Sequence, residues 1–80
     1  MGLKSPDDKT LALSTDNDSI CLFDVESAKI LHKLTGHSGN PIRSLDFTPD
    51  GRHLISGSDD ETINIYDVYI SQLTFMNNNY

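Results

Sequence analysis

Three residues that together could carry acyl-transfer chemistry stand in this chain: His37, Ser56 and Asp60. A histidine can take the proton of a serine hydroxyl while a carboxylate orients the ring, which is how hydrolases make an alkoxide-like nucleophile. That chemistry needs an exposed, strained serine with its base within hydrogen-bond reach. Ser56 instead lies inside Leu54-Ile55-Ser56-Gly57-Ser58, a run of strand length, and no Gly-x-Ser-x-Gly elbow occurs in the sequence. No catalytic residue is assigned, and the chain is not expected to be an enzyme.

Other site chemistries are equally thin. Asp16, Asp18 and the Asp59-Asp60-Glu61 cluster lack the glycine and terminal glutamate spacing of a calcium loop. His32 and His53 have no cysteine or histidine at ligand spacing, and no glycine pattern resembles a phosphate cradle. Neither a metal nor a cofactor is expected. The single cysteine, Cys21, cannot form an intrachain disulfide and reads as a small buried hydrophobe in a reducing compartment.

A formal net charge of −6 over 80 residues argues against a surface built to contact nucleic-acid phosphates. Most of the acids fall in turns (Asp7, Asp8, Asp16, Asp18, Asp50, Asp59, Asp60, Glu61), where turn chemistry accounts for them without a ligand. The first ten residues, MGLKSPDDKT, hold no apolar core of signal-peptide length, and no run is long enough to span a bilayer as a helix. The expectation is a soluble intracellular protein with no direct nucleic-acid or membrane contact. Arg43, Arg52, His53 and Lys33 are candidate surface contacts that the sequence does not rank.

The elements that must position these residues are short strands. Three runs of strand length that carry β-branched or aromatic residues, 42–47, 53–58 and 62–68, are separated by compact polar turns. Thr48-Pro49-Asp50-Gly51 is a strong reversal: proline pre-sets φ, aspartate caps its own backbone and glycine accepts φ > 0. Ser58 to Glu61 is the second reversal, with Glu61 where glycine would be easier.

Compared with itself at an offset of 43 residues, the chain repeats. Pro6-Asp7 falls on Pro49-Asp50, Leu11 on Leu54, Ile20 on Ile63 and Asp24-Val25 on Asp67-Val68. A period in the low forties is that of a four-stranded propeller blade. The first unit then has strands over 9–14, 19–25 and 29–34, and the second a fourth strand near 70–75.

Gly36-His37, Phe47-Thr48-Pro49-Asp50-Gly51, the run from Leu54 to Asp60, and Ile63-Asn64-Ile65-Tyr66-Asp67 together resemble the WD-repeat family. Tyr66-Asp67 stands where that family has its Trp-Asp dipeptide. The resemblance implies an all-β fold of antiparallel four-stranded blades forming an incomplete propeller. It divides the chain into a first blade over 5–34 lacking its innermost strand, a second over 35–76, and a disordered tail over 77–80. It also implies that His37, Ser56, Asp60 and Tyr66 form a buried structural hydrogen-bond network. The first unit has Leu13, Asn17 and Phe23 at the last three of these positions, so no such network is expected there.

The function this implies is a non-enzymatic scaffold that binds other proteins in a multiprotein complex of cytoplasm and nucleus. The alternative is a small two-blade protein that closes a propeller as a homo-oligomer. Two blades leave apolar faces bare, so the isolated chain is expected to oligomerise or to need further blades.

Overall fold

Alternating apolar residues and proline- or aspartate-bearing turns produce eight strands in two antiparallel sheets. The first sheet runs β1 (Gly2–Lys4), β2 (Thr10–Ser14), β3 (Ile20–Asp24), β4 (Ile30–Leu34) in spatial order. The second repeats the meander as β5 (Ile42–Phe47), β6 (His53–Ser58), β7 (Ile63–Asp67), β8 (Gln72–Asn77). These come from a computed structural model that describes residues 1–14, 19–35, 37, 41–59, 61–69 and the backbone of 72–77. Asn17, Asp60 and residues 78–80 of the expected tail lie outside the described residues.

Two boundaries differ from expectation. The first sheet has an innermost strand: Gly2, Leu3 and Lys4 pair with Leu13, Ala12 and Leu11 of β2. Three residues are too few to show a period, yet a ladder partner and one apolar side chain, Leu3, packed on the core suffice to order them. At the other end Asn77 belongs to β8, paired with Ile63, because cross-strand pairing outweighs the weak β-propensity of asparagine.

The 43-residue repeat is reproduced bond by bond in the turns. Ser5 Oγ donates to Asp7 Oδ1 at 2.6 Å, and the same carboxylate oxygen accepts from the Lys9 amide at 3.0 Å. Thr48 Oγ1 donates to Asp50 Oδ1 at 2.6 Å, which accepts from the Arg52 amide at 3.0 Å. The hydroxyls then accept from Thr10 N at 3.0 Å and His53 N at 3.1 Å, closing each hairpin. Gly51 has φ 71° and Asp8, its counterpart, φ 61°, so aspartate takes the left-handed conformation that glycine adopts more easily. Glu61 has φ 65°, the strain its sequence context suggested. Even the ladder irregularities correspond, between Leu22 and Phe23 in one sheet and Ile65 and Tyr66 in the other.

One face of each sheet meets the other. Ala12, Ile20, Leu22 and Leu34 pack with Phe47, Leu54 and Tyr66 in a single cluster, edged by Leu3, Ile42, Leu45 and Val68. Such burial stabilises at about 25 cal/mol per Å² of apolar surface removed from water. β4 is the exception, with four exposed residues before the buried Leu34.

The turn carboxylates make stability depend on acid. Hydrogen bonds from Ser5 and the Lys9 amide hold Asp7 below its ordinary pKa. Those from Ser27, side chain first and amide second, do the same for Asp24, as do those from Thr48 and the Arg52 amide for Asp50. A depressed carboxylate contributes stability that is complete above its unfolded-chain pKa of about 3.9 and is lost as pH falls through the lower folded value. The unfolding midpoint should therefore drop below about pH 4, and drop less in the triple variant Asp7→Asn, Asp24→Asn, Asp50→Asn. Circular-dichroism melts at stepped pH would show it; parallel curves would remove these turns as the cause.

Candidate functional site

His37 sits in the segment that joins the two sheets and is wholly buried. Its Nε2 lies 2.7 Å from Ser56 Oγ on β6, and its Nδ1 2.9 Å from Thr62 Oγ1 just before β7. A neutral imidazole donates through one nitrogen and accepts through the other, and a hydroxyl can take either part. Strand alternation explains why Ser56 is available: Leu54, Ser56 and Ser58 all point to the buried face of β6.

A second tie holds the same segment to the second sheet. Tyr66 Oη donates to the Thr35 carbonyl at 3.1 Å and accepts from Asn64 Nδ2 at 3.1 Å. Tyrosine in place of tryptophan thus keeps both an aromatic body in the core and a polar reach to the linking segment. Asn64 is also wholly buried, and its Oδ1 has no hydrogen-bond partner among the described residues.

Of the four residues singled out from sequence, the structure brings His37 and Ser56 into direct contact and puts Tyr66 on the neighbouring residue Thr35. Asp60 lies outside the described residues. Sequence reasoning missed Thr62 and Asn64. Asn64 had a signal, since it stands two residues before Tyr66 and must share its face. In the first sheet Leu13 and Phe23 occupy the places of Ser56 and Tyr66 and are only half-buried.

Ser56 and His37 are as close as a nucleophile and its base, but both are sealed at zero exposure, so an acyl substrate cannot reach the hydroxyl. Among the described residues no cluster of three His, Cys, Asp or Glu could hold a metal ion. Arg43 makes a two-pronged ion pair with Asp59, Nε to Oδ1 at 2.9 Å and an Nη to Oδ2 at 2.8 Å, on an exposed surface. Pairs in such settings contribute little to stability.

Residues 28–67 match the family model described as WD domain, G-beta repeat. Over 54 residues the chain is 50% identical to WD repeat-containing protein VIP3 of Arabidopsis thaliana, covering 66% of this chain and 16% of that protein. It is 40% identical over 57 residues to U3 small nucleolar RNA-associated protein 21 of Saccharomyces cerevisiae, covering 71% of this chain and 6% of that one. The crystal structure of RRP9 WD40 repeats matches with a TM-score of 0.90 at 25% identity, over 99% of this chain and 25% of that chain. The chain therefore spans a small part of the length of each.

The buried ties make contrasting predictions. Ser56→Ala leaves a His37 nitrogen unpaired in the interior and should cost about 1–3 kcal/mol in chemical denaturation. Any ester turnover by the protein should be unaffected by it; turnover lost with that substitution would restore a catalytic reading. Asn64→Leu removes an unpaired acceptor at similar volume while Tyr66 keeps its bond to Thr35. Its stability should equal or exceed that of the parent, and a loss above about 1.5 kcal/mol would mean that Oδ1 has a partner.

Proposed function

The chain belongs to the WD domain, G-beta repeat family, and we propose that it forms part of a non-enzymatic scaffold holding other proteins together in a multiprotein complex. The observation that carries this reading is that the residues best suited to chemistry are used up internally. His37 and Ser56, wholly buried, bind each other, and the Tyr66 hydroxyl binds the backbone of Thr35. His37, Ser56 and Tyr66 are accordingly assigned a structural role, fixing strand register and the path of the linking segment, and Asp60 is given the same role on the family resemblance alone. The outward surface is left for contact with proteins, with no cofactor, membrane or direct nucleic-acid contact proposed.

The complex we favour comes from a closer resemblance. The stretches Ser27 to His37, Asn40 to Leu45 and Ile63 to Val68 resemble the WD-repeat subunit shared by two assemblies, and the likeness runs over residues 5–68. These are the superkiller complex of cytoplasmic RNA decay and the polymerase-associated factor complex of nuclear transcription elongation. The yeast relative is named for association with a small nucleolar RNA, which supports a nuclear location. Cytoplasmic residence rests on the resemblance alone.

Affinity purification of the tagged protein from cells, followed by mass spectrometry, tests the assignment. Subunits of the superkiller or polymerase-associated factor complex are the expected result. Recovery of nucleolar ribonucleoprotein components in their place would overturn the choice of complex and keep the scaffold. Recovery of no protein partner at all would overturn the scaffold.

A further inference from the structure

The strand that gives least to the core is β4. Ile30, Leu31, His32 and Lys33 are exposed in succession before the buried Leu34, and Ile30 and Leu31 keep 63% and 47% of their surface in water. β4 pairs with β3 on one side and, among the described residues, with no strand on the other. Successive residues of a strand point their amides and carbonyls to alternate sides, so an edge strand presents a row of hydrogen-bonding groups to whatever lies beside it. Blades stack through their faces, so this edge stays at the rim however many blades a propeller has.

The charge of this edge is the reverse of the molecule's. The chain carries twelve acids against six lysines and arginines, yet no acid occurs from Ser27 to Leu45. Lys29, His32 and Lys33 lie on β4 or just ahead of it, and all three are exposed. Of the acids in the adjoining turn, Asp24 is engaged by the Ser27 hydroxyl and amide, which leaves Glu26. Lysines on an edge can also serve to keep unwanted strands away. That purpose would call for them on both outer edges, but β8, at the same place in the second sheet, has no charged residue from Gln72 to Asn77. The cations are thus particular to β4 and not part of the repeat.

We infer that β4 is a docking edge for an extended acidic segment of a partner protein, which adds as a fifth strand outside Ile30–Leu34. Backbone bonds supply the pairing, carboxylates meet Lys29, His32 and Lys33, and alternating apolar residues cover Ile30 and Leu31. A nucleic-acid strand fits less well, because a net charge of −6 repels phosphates and aliphatic side chains give bases no ring to stack on. The inference rests on the scaffold reading and names the kind of segment that such a scaffold holds.

Fluorescence anisotropy of the full chain with two short labelled peptides tests it, one alternating glutamate with valine and the other lysine with valine. The glutamate peptide should bind saturably, and more weakly as salt rises; the lysine peptide should not bind. Amide hydrogen exchange should slow along β4 on adding the glutamate peptide and stay unchanged along β8. Lys29→Glu combined with Lys33→Glu should weaken binding by about tenfold. Lys33→Gln, with a smaller loss, serves if the double variant does not fold. No binding of the glutamate peptide, equal binding of the lysine peptide or of a labelled oligouridylate, indifference to both substitutions, or slowed exchange on strands other than β4 would each overturn the inference. So would β4 amides that are all protected before any peptide is added, since a second copy or another part of the same polypeptide would then hold the edge. Each of these, with protein partners still recovered by affinity purification, leaves the scaffold reading standing.

Discussion

A four-stranded sheet with apolar residues on both faces cannot bury both unless it lies between two others, and every larger feature here depends on that constraint. The pair of sheets resolves half of it. Ala12 and Leu22 reach zero and 1% exposure against Leu54 and Tyr66, while the chemically similar Ile55, Ile63 and Leu11 remain half-open. The same sequence period that makes one interface repeats its apolar residues on the other face of each sheet.

Polar groups divide the labour differently. In the turns, aspartates clamp amides and hydroxyls at the rim, where water can compete and each bond contributes modestly. In the link between the sheets, the bonds of the His37 ring are buried, so the alternatives to them are unsatisfied groups. The rim bonds shape the hairpins and are present in both units. At the places of Ser56 and Tyr66 the first sheet has Leu13 and Phe23, which carry no hydroxyl for such bonds.

Legibility in the sequence followed the strength of local rules. Proline, aspartate and glycine at Thr48 to Gly51, and their echo at Ser5 to Asp8, place the hairpins and the repeat within a residue or two. The strand of Gly2 to Lys4 was invisible because its order comes from a neighbour, not from its own pattern. Asn64 was overlooked for a related reason: a polar residue between two isoleucines reads as a solvent face, and that inference fails in a sheet whose both faces are meant for packing. His37 and Ser56 were legible as a pair only through family resemblance, since no local rule joins residues nineteen positions apart. Thr62 gives no signal, because a threonine opening a strand is ordinary.

The unequal anchoring of the linking segment decides where the molecule could flex. Thr35 and His37 are fastened to β6, to β7 and to the residue ahead of β7, so they belong mechanically to the second sheet. The preceding strand, Ile30 to Leu34, is held by its ladder to β3 and belongs to the first. The covalent seam between the residues held by the first sheet and those held by the second therefore falls at the Leu34–Thr35 peptide. Leu34 is buried in the shared cluster, so this pivot is sealed by the same side chains it would have to separate. Rocking of one sheet against the other would behave as a latch released by loss of packing, with Thr35 and His37 carried along as part of the second body.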